Sequence, residues 1–147
     1  MANRIHSKGD ARREEFIAAT STIYPGMLLT QLEAGTVTPH ATEGGRSEAM
    51  FAEEDALQGK NDSTLYTIAN PVSVLLPAKG SEVRALIESG QEVVIGDELI
   101  SAGNGKLKVA GDLESGETLT QVIAIAAEAC DLTGSGASDT ISRVRIV

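Results

Sequence analysis

The segment Val93–Gly111, VVIGDELISAGNGKLKVAG, decides the class of this chain. Apolar residues alternate with polar ones around two turn signals, Gly96-Asp97 and Asn104-Gly105. Asn-Gly accepts the positive φ angles that a tight hairpin needs. The stretch therefore reads as strand, corner, short strand, turn, strand. A glycine followed by lysine also raises the question of a phosphate loop. A Walker-type loop would need glycine at position 100 and a hydroxyl residue after Lys106, but the chain has Ile100 and Leu107. The strand-to-helix setting is missing as well, so the segment is a corner.

On either side the same punctuation continues. Pro25-Gly26 marks a turn, MLLTQL (27–32) reads as a strand, and Ala34-Gly35 turns the chain into TVTPH (36–40). NPVSVLLPA (70–78) is a strand bounded by Pro71 and Pro77, which cannot donate to a ladder and belong at its ends. KGSEVRALIESGQ (79–91) predicts a short helix over about 81–89. Ser81 can cap it, Val83, Leu86 and Ile87 form an apolar stripe, and Gly90 suits the left-handed stop. Propensity also favours a helix over about 47–57, although Met50 and Phe51 are adjacent rather than spaced for one face. Residues 117–132 carry Leu119, Val122, Ile123 and Ile125, which fit a buried strand or a helix equally well. TISRVRIV (140–147) ends the chain as a half-buried strand.

At 147 residues the chain is long enough for one domain with a real core. Apolar residues make up 41% of it, but aromatics only 3%, and Trp is absent. The core must be aliphatic. MANRIHSKGDARREEF (1–16) has few apolar residues and no period, so residues 1–18 read as an extended arm, disordered alone and ordered on a partner. Residues 19–147 form the single β-rich body. The start of the chain has no apolar signal region, and no run approaches the length of a membrane span, so a soluble protein made in the cytoplasm is expected.

The net charge of −9 argues against general nucleic-acid binding. It is unevenly spread. Residues 1–13 hold Arg4, Lys8, Arg12 and Arg13 against Asp10, whereas residues 33–62 hold seven acids against Arg46 and Lys60. A basic arm on an acidic body suits contacts between neighbours in an assembly.

Catalytic chemistry finds little support. His6 and His40 read as solvent-facing, and a transition-metal site would need both plus converging carboxylates. Cys130, the only cysteine, lies in an apolar run and reads as a buried, inert thiol. Neighbouring acids such as Glu53 and Glu54 would point to opposite faces of a strand, not at one substrate. No catalytic residue, metal or cofactor is expected. One alternative of another class is a lipoyl- or biotinyl-like carrier or enzyme accessory domain, with Lys106 displayed beside its turn.

Taken in order, YPGMLLTQLEAGTVTPHATEGG, MFAEEDALQGK, KGSEVRALIESGQEVVIGDELISAGNGKL and the ending IAAEACDL…SRVRIV resemble the capsid decoration, or cement, proteins of tailed bacteriophages. The resemblance runs from about Arg4 to Val147. It implies a small β-barrel or β-sandwich body on the outer surface of the expanded capsid in the virion, and no catalytic residues. It also tilts AMFAEEDA (49–56) toward strand, against propensity. The implied function is to bind the major capsid protein at capsomer junctions and stabilise the shell. The expected partners are that protein and further copies of this chain, as a homotrimer with a dimer as the alternative, and neither nucleic acid nor membrane. Arg4, Ile5, Arg12, Arg13 and Phe16 of the arm, with Arg143 and Arg145 of the last strand, are the candidate contacts to capsid or neighbour.

Overall fold

The computed structural model describes residues 4–55, 64–112, 119 and 121–147. It is mainly β, and its strands form two large curled sheets and a two-stranded one. The elements are β1 His6–Lys8, β2 Ala11–Ala18, β3 Leu29–Gln31, β4 Thr36–Pro39, β5 Phe51–Ala52, β6 Pro71–Pro77, β7 Glu82–Ile87, β8 Glu92–Val93, β9 Glu98–Ser101, β10 Leu107–Val109, β11 Ala124–Ala126, β12 Cys130–Asp131 and β13 Thr140–Ile146. One sheet runs β7-β10-β9-β11-β13 and returns to β7, which closes a five-stranded barrel. The other large sheet runs β3-β4-β2-β6-β5, and the two-stranded one pairs β8 with β12. A bridge between Leu28 and Phe51 brings its two edges together.

Residues 82–87 are strand, not the helix expected over 81–89. Val83, Ala85 and Ile87 are fully buried, so the operative period is two. β13 pairs antiparallel with all six residues, from Thr140 opposite Ile87 to Arg145 opposite Glu82. Six residues make a weak isolated helix, and this continuous ladder overrides their propensity. Ser81 caps nothing; its hydroxyl donates to the Asp10 carbonyl at 2.8 Å.

The other edge of β7 is shared among three segments. Arg84 N donates to Ile5 O at 2.7 Å, Leu86 N to Gly26 O at 2.9 Å, and Glu88 N to Leu107 O at 2.9 Å. The Pro25-Gly26 corner thus fills the gap between β1 and β10. Gly26 has φ +89°, and a Cβ there would stand 3.2 Å from Arg84 O and 3.3 Å from Leu86 N. Only glycine combines that angle with so close an approach.

The two sheets share a wall. Leu28, Phe51 and Leu75 face the barrel core, while Met27, Leu29, Met50, Ala52, Val72 and Val74 face a second apolar core. These strands are buried on both sides, which explains why Met50 and Phe51 are adjacent in sequence. The helix expected over 47–57 is therefore replaced by β5, as the phage resemblance implied; residues 56 and 57 lie outside the described residues. The strand-or-helix ambiguity after 117 resolves to strand at β11 and β12.

Candidate functional site

The seven sequence-predicted contact residues separate into core and surface. Ile5 is fully buried and Phe16 nearly so. The Ile5 amide donates to Glu54 Oε2 at 3.0 Å, and Phe16 lies in the second core. Neither is available as a surface contact in this fold. Residues 6–18 form β1 and β2, separated at Gly9, and do not project as an arm. β2 pairs with β6 from Ala11 opposite Pro77 to Ile17 opposite Pro71, so its backbone is committed to the sheet. The low apolar content of the segment arises because the outer positions of β2 carry charge.

The arginines divide further. Arg4 is exposed. Arg12 is exposed too and pairs with Glu14 at 3.0 Å, a contact that water and salt screen. Arg13 is tied down: its Nε donates to Glu53 Oε2 at 2.8 Å and Oε1 at 3.0 Å. Ser73 Oγ donates to the same Oε2 at 3.1 Å.

Arg143 and Arg145 come together on the outer face of the barrel. Along β13, Ser142, Val144 and Ile146 point inward, which sends the arginines out. They converge with Lys8 on Glu82, whose side chain is only 9% exposed. Arg145 Nη2 lies 3.0 Å, Arg143 Nε 3.7 Å and Lys8 Nζ 3.9 Å from its oxygens. The hydrogen bond from Arg145 holds the Glu82 carboxyl below the usual range; burial opposes this, and the three cationic charges reinforce it. Three cations on one carboxylate leave the patch positive. Arg84, directly opposite Arg143, extends it. The sequence reading missed Arg84 because the expected helix gave it no neighbour on β13.

Beside this patch, Tyr24, Pro25, Arg84, Leu86, Ser138, Asp139, Thr140 and Ile141 line a groove of about 620 Å3, basic at its Arg84 end and closed at the other by the Asp139–Lys106 ion pair. Elsewhere the Val94–Asp97 turn projects two apolar side chains, Val94 at 56% and Ile95 at 68% exposure.

Residues considered for chemistry are held by the fold. Lys106 Nζ sits 2.7 Å from Asp139 Oδ2, with its side chain 22% exposed. Desolvation pushes the Asp139 carboxyl up, but hydrogen bonds from Lys106 and Ser89 outweigh it and hold the group low. A carrier lysine must be free at a turn tip, and this one is clamped. His40 is buried rather than solvent-facing: Nδ1 is 2.6 Å from Ser101 Oγ and Nε2 is 2.9 Å from Arg46 O. His6 is half-buried, with Nε2 2.9 Å from Gly9 O. Cys130 is only half-buried, yet desolvation still pushes its thiol up, away from the reactive thiolate. Gly105, with φ +78°, turns the chain between β9 and β10, confirming the corner.

No family model matches the sequence, and no curated protein does. The fold is similar to the crystal structure of the N base of head fiber gp8.5 of bacteriophage phi29. The TM-score is 0.56 at 11% identity, over 94% of this chain and 95% of that one.

Proposed function

We propose that this protein is a structural component of a bacteriophage virion. It binds the outer surface of the capsid at capsomer junctions and stabilises the shell. The observation that carries this reading is the likeness to a phage head fiber base, which spans nearly the whole of both chains. Mostly aliphatic cores, with Phe16, Phe51 and Tyr66 as their aromatic members, and tethered polar side chains fit a protein whose work is done by surfaces.

The mechanism is additive. A shell under pressure from packaged DNA fails first where capsomers meet. A protein touching several subunits there adds interface area, and repetition over the shell makes modest contacts sufficient. The major capsid protein is the proposed partner, with this chain acting as a homotrimer; a dimer is the alternative. Arg4, Arg12, Arg13, Arg143 and Arg145 are the proposed contacts. Arg13 would exchange Glu53 for an acid of the capsid.

Co-sedimentation with expanded, undecorated phage capsids tests this. The wild-type chain is expected to bind saturably. The doubly substituted Arg4→Glu, Arg12→Glu chain, changed only at exposed positions, is expected to bind at least about tenfold more weakly. Absence of saturable wild-type binding overturns the proposal.

A further inference from the structure

We infer that copies of this chain associate head to tail, the Val94–Ile95 turn of one seating in the groove lined by Tyr24, Leu86 and Ile141 of the next. This deepens the oligomeric part of the proposal above, and it is tested without any capsid, so the two fail separately.

The turn is built as a rigid knob. Val94 N donates to Asp97 Oδ2 at 2.8 Å, and Asp97 N donates back to Val94 O at 3.1 Å. Gly96, at φ +96°, supplies the left-handed position, and its N–H donates to Ala126 O at 3.0 Å. Holding two branched apolar side chains in water at a fixed turn stabilises nothing within the chain. A preformed knob does lose little entropy on docking.

Charge identifies the occupant. Glu92 stands directly opposite Asp131 across β8 and β12. Arg84 stands directly opposite Arg143 across β7 and β13. Like charges facing each other across strands are destabilising. Each pair lies at the same spacing from its apolar feature: Glu92 is two positions from Val94, while Arg84 and Arg143 are two positions from Leu86 and Ile141. Arg84 has no ion pair among the described residues. Docking the knob in the groove of a second copy would set the acidic pair against the basic one and relieve both. A net charge of −9 opposes self-association, and this alignment offsets that repulsion locally.

Knob and groove are different patches, so the interface is heterologous and closes only as a ring. Any closed ring satisfies every knob and every groove, the proposed trimer among them.

Sedimentation equilibrium up to about 100 μM, where interfaces of micromolar strength are populated, provides the test. Wild type is expected to form a closed oligomer. Ile95→Asp, which removes the knob, and Arg84→Glu, which reverses the groove edge, are each expected to weaken association at least about tenfold. Mixing these two variants leaves one intact knob and one intact groove, so the mixture should form 1:1 dimers and nothing larger. Tyr24→Ser, which trims an exposed ring, replaces Arg84→Glu should that variant fail to fold. A monomeric wild type, an oligomer indifferent to Ile95→Asp, or variants that do not complement on mixing each overturn the inference.

Discussion

Arg145 stands opposite Glu82 across β13 and β7, and its Nη2 donates to Glu82 Oε1 at 3.0 Å. The pair fastens two barrel strands on their outer face, where Lys8 and Arg143 add charge from either side. A surface arginine patch thereby becomes a fixed feature of the barrel.

Acid should loosen this fastening. The folded state holds the Glu82 carboxyl below its ordinary value of 4.5. A depressed carboxylate contributes stability that is present above the unfolded value and is lost as pH falls through the folded one. Urea midpoints measured from pH 6 downward should therefore fall for wild type, and the fall should be shallower for Glu82→Gln. At neutral pH the variant should melt lower, since three cations then lack their carboxylate. Identical acid limbs for the two proteins would disprove the assignment.

Phe51 sits in the wall between the two cores, fully buried, with Met50 and Ala52 facing the opposite way. Phe51→Ala should cost about 3–5 kcal/mol through the cavity it leaves. Because one wall serves both cores, amide exchange should quicken at Val74 and at Val144 alike. Faster exchange at only one would mean that the two sheets unfold independently.

Gly26 closes the edge of β7. An alanine there meets an unfavourable φ and a carbonyl 3.2 Å from its new Cβ. Gly26→Ala should destabilise the protein by about 1–3 kcal/mol in urea titration. Gly80, with φ +86° but open space around it, serves as comparison. Gly80→Ala should cost less, because it pays the angle without the collision.

These positions also show where sequence was readable. Pro71 and Pro77 mark both ends of β6, and Asn104-Gly105 marks the turn between β9 and β10, because proline and glycine act on their own backbone. The 82–87 strand was hidden because its letters satisfy two periods at once. Val83 and Ile87 suit a helical stripe with Leu86 or a strand face with Ala85. The deciding partner, β13, lies far along the chain. The arm was misread for a related reason: β2 has charged outer positions, and its inward residues have meaning only beside β6. Of the candidate surface, Arg143 and Arg145 were visible as alternation. Arg84 and buried Glu82 were not, since cross-strand register is a property of pairs.

Tyr66 offers the last prediction. It is 7% exposed in the second core, and its hydroxyl donates a short hydrogen bond to the Glu53 carbonyl. Replacement by phenylalanine keeps the ring and removes the donor, leaving that carbonyl short of a partner. Tyr66→Phe should therefore lose about 1–3 kcal/mol at neutral pH. Burial pushes the phenol well above its ordinary value of 10.0; the nearby Asp55, Glu53 and Glu54 push the same way, against a backbone hydrogen bond at Ser73. A raised folded value means that the native state favours the neutral phenol. The resulting stability is complete below the ordinary value and declines as pH rises above it. Wild type should lose stability on the alkaline side more steeply than Tyr66→Phe, so that the two urea midpoints converge as pH climbs. Parallel alkaline limbs would place the hydroxyl in water, contrary to the geometry that joins Tyr66 to the Glu53 carbonyl.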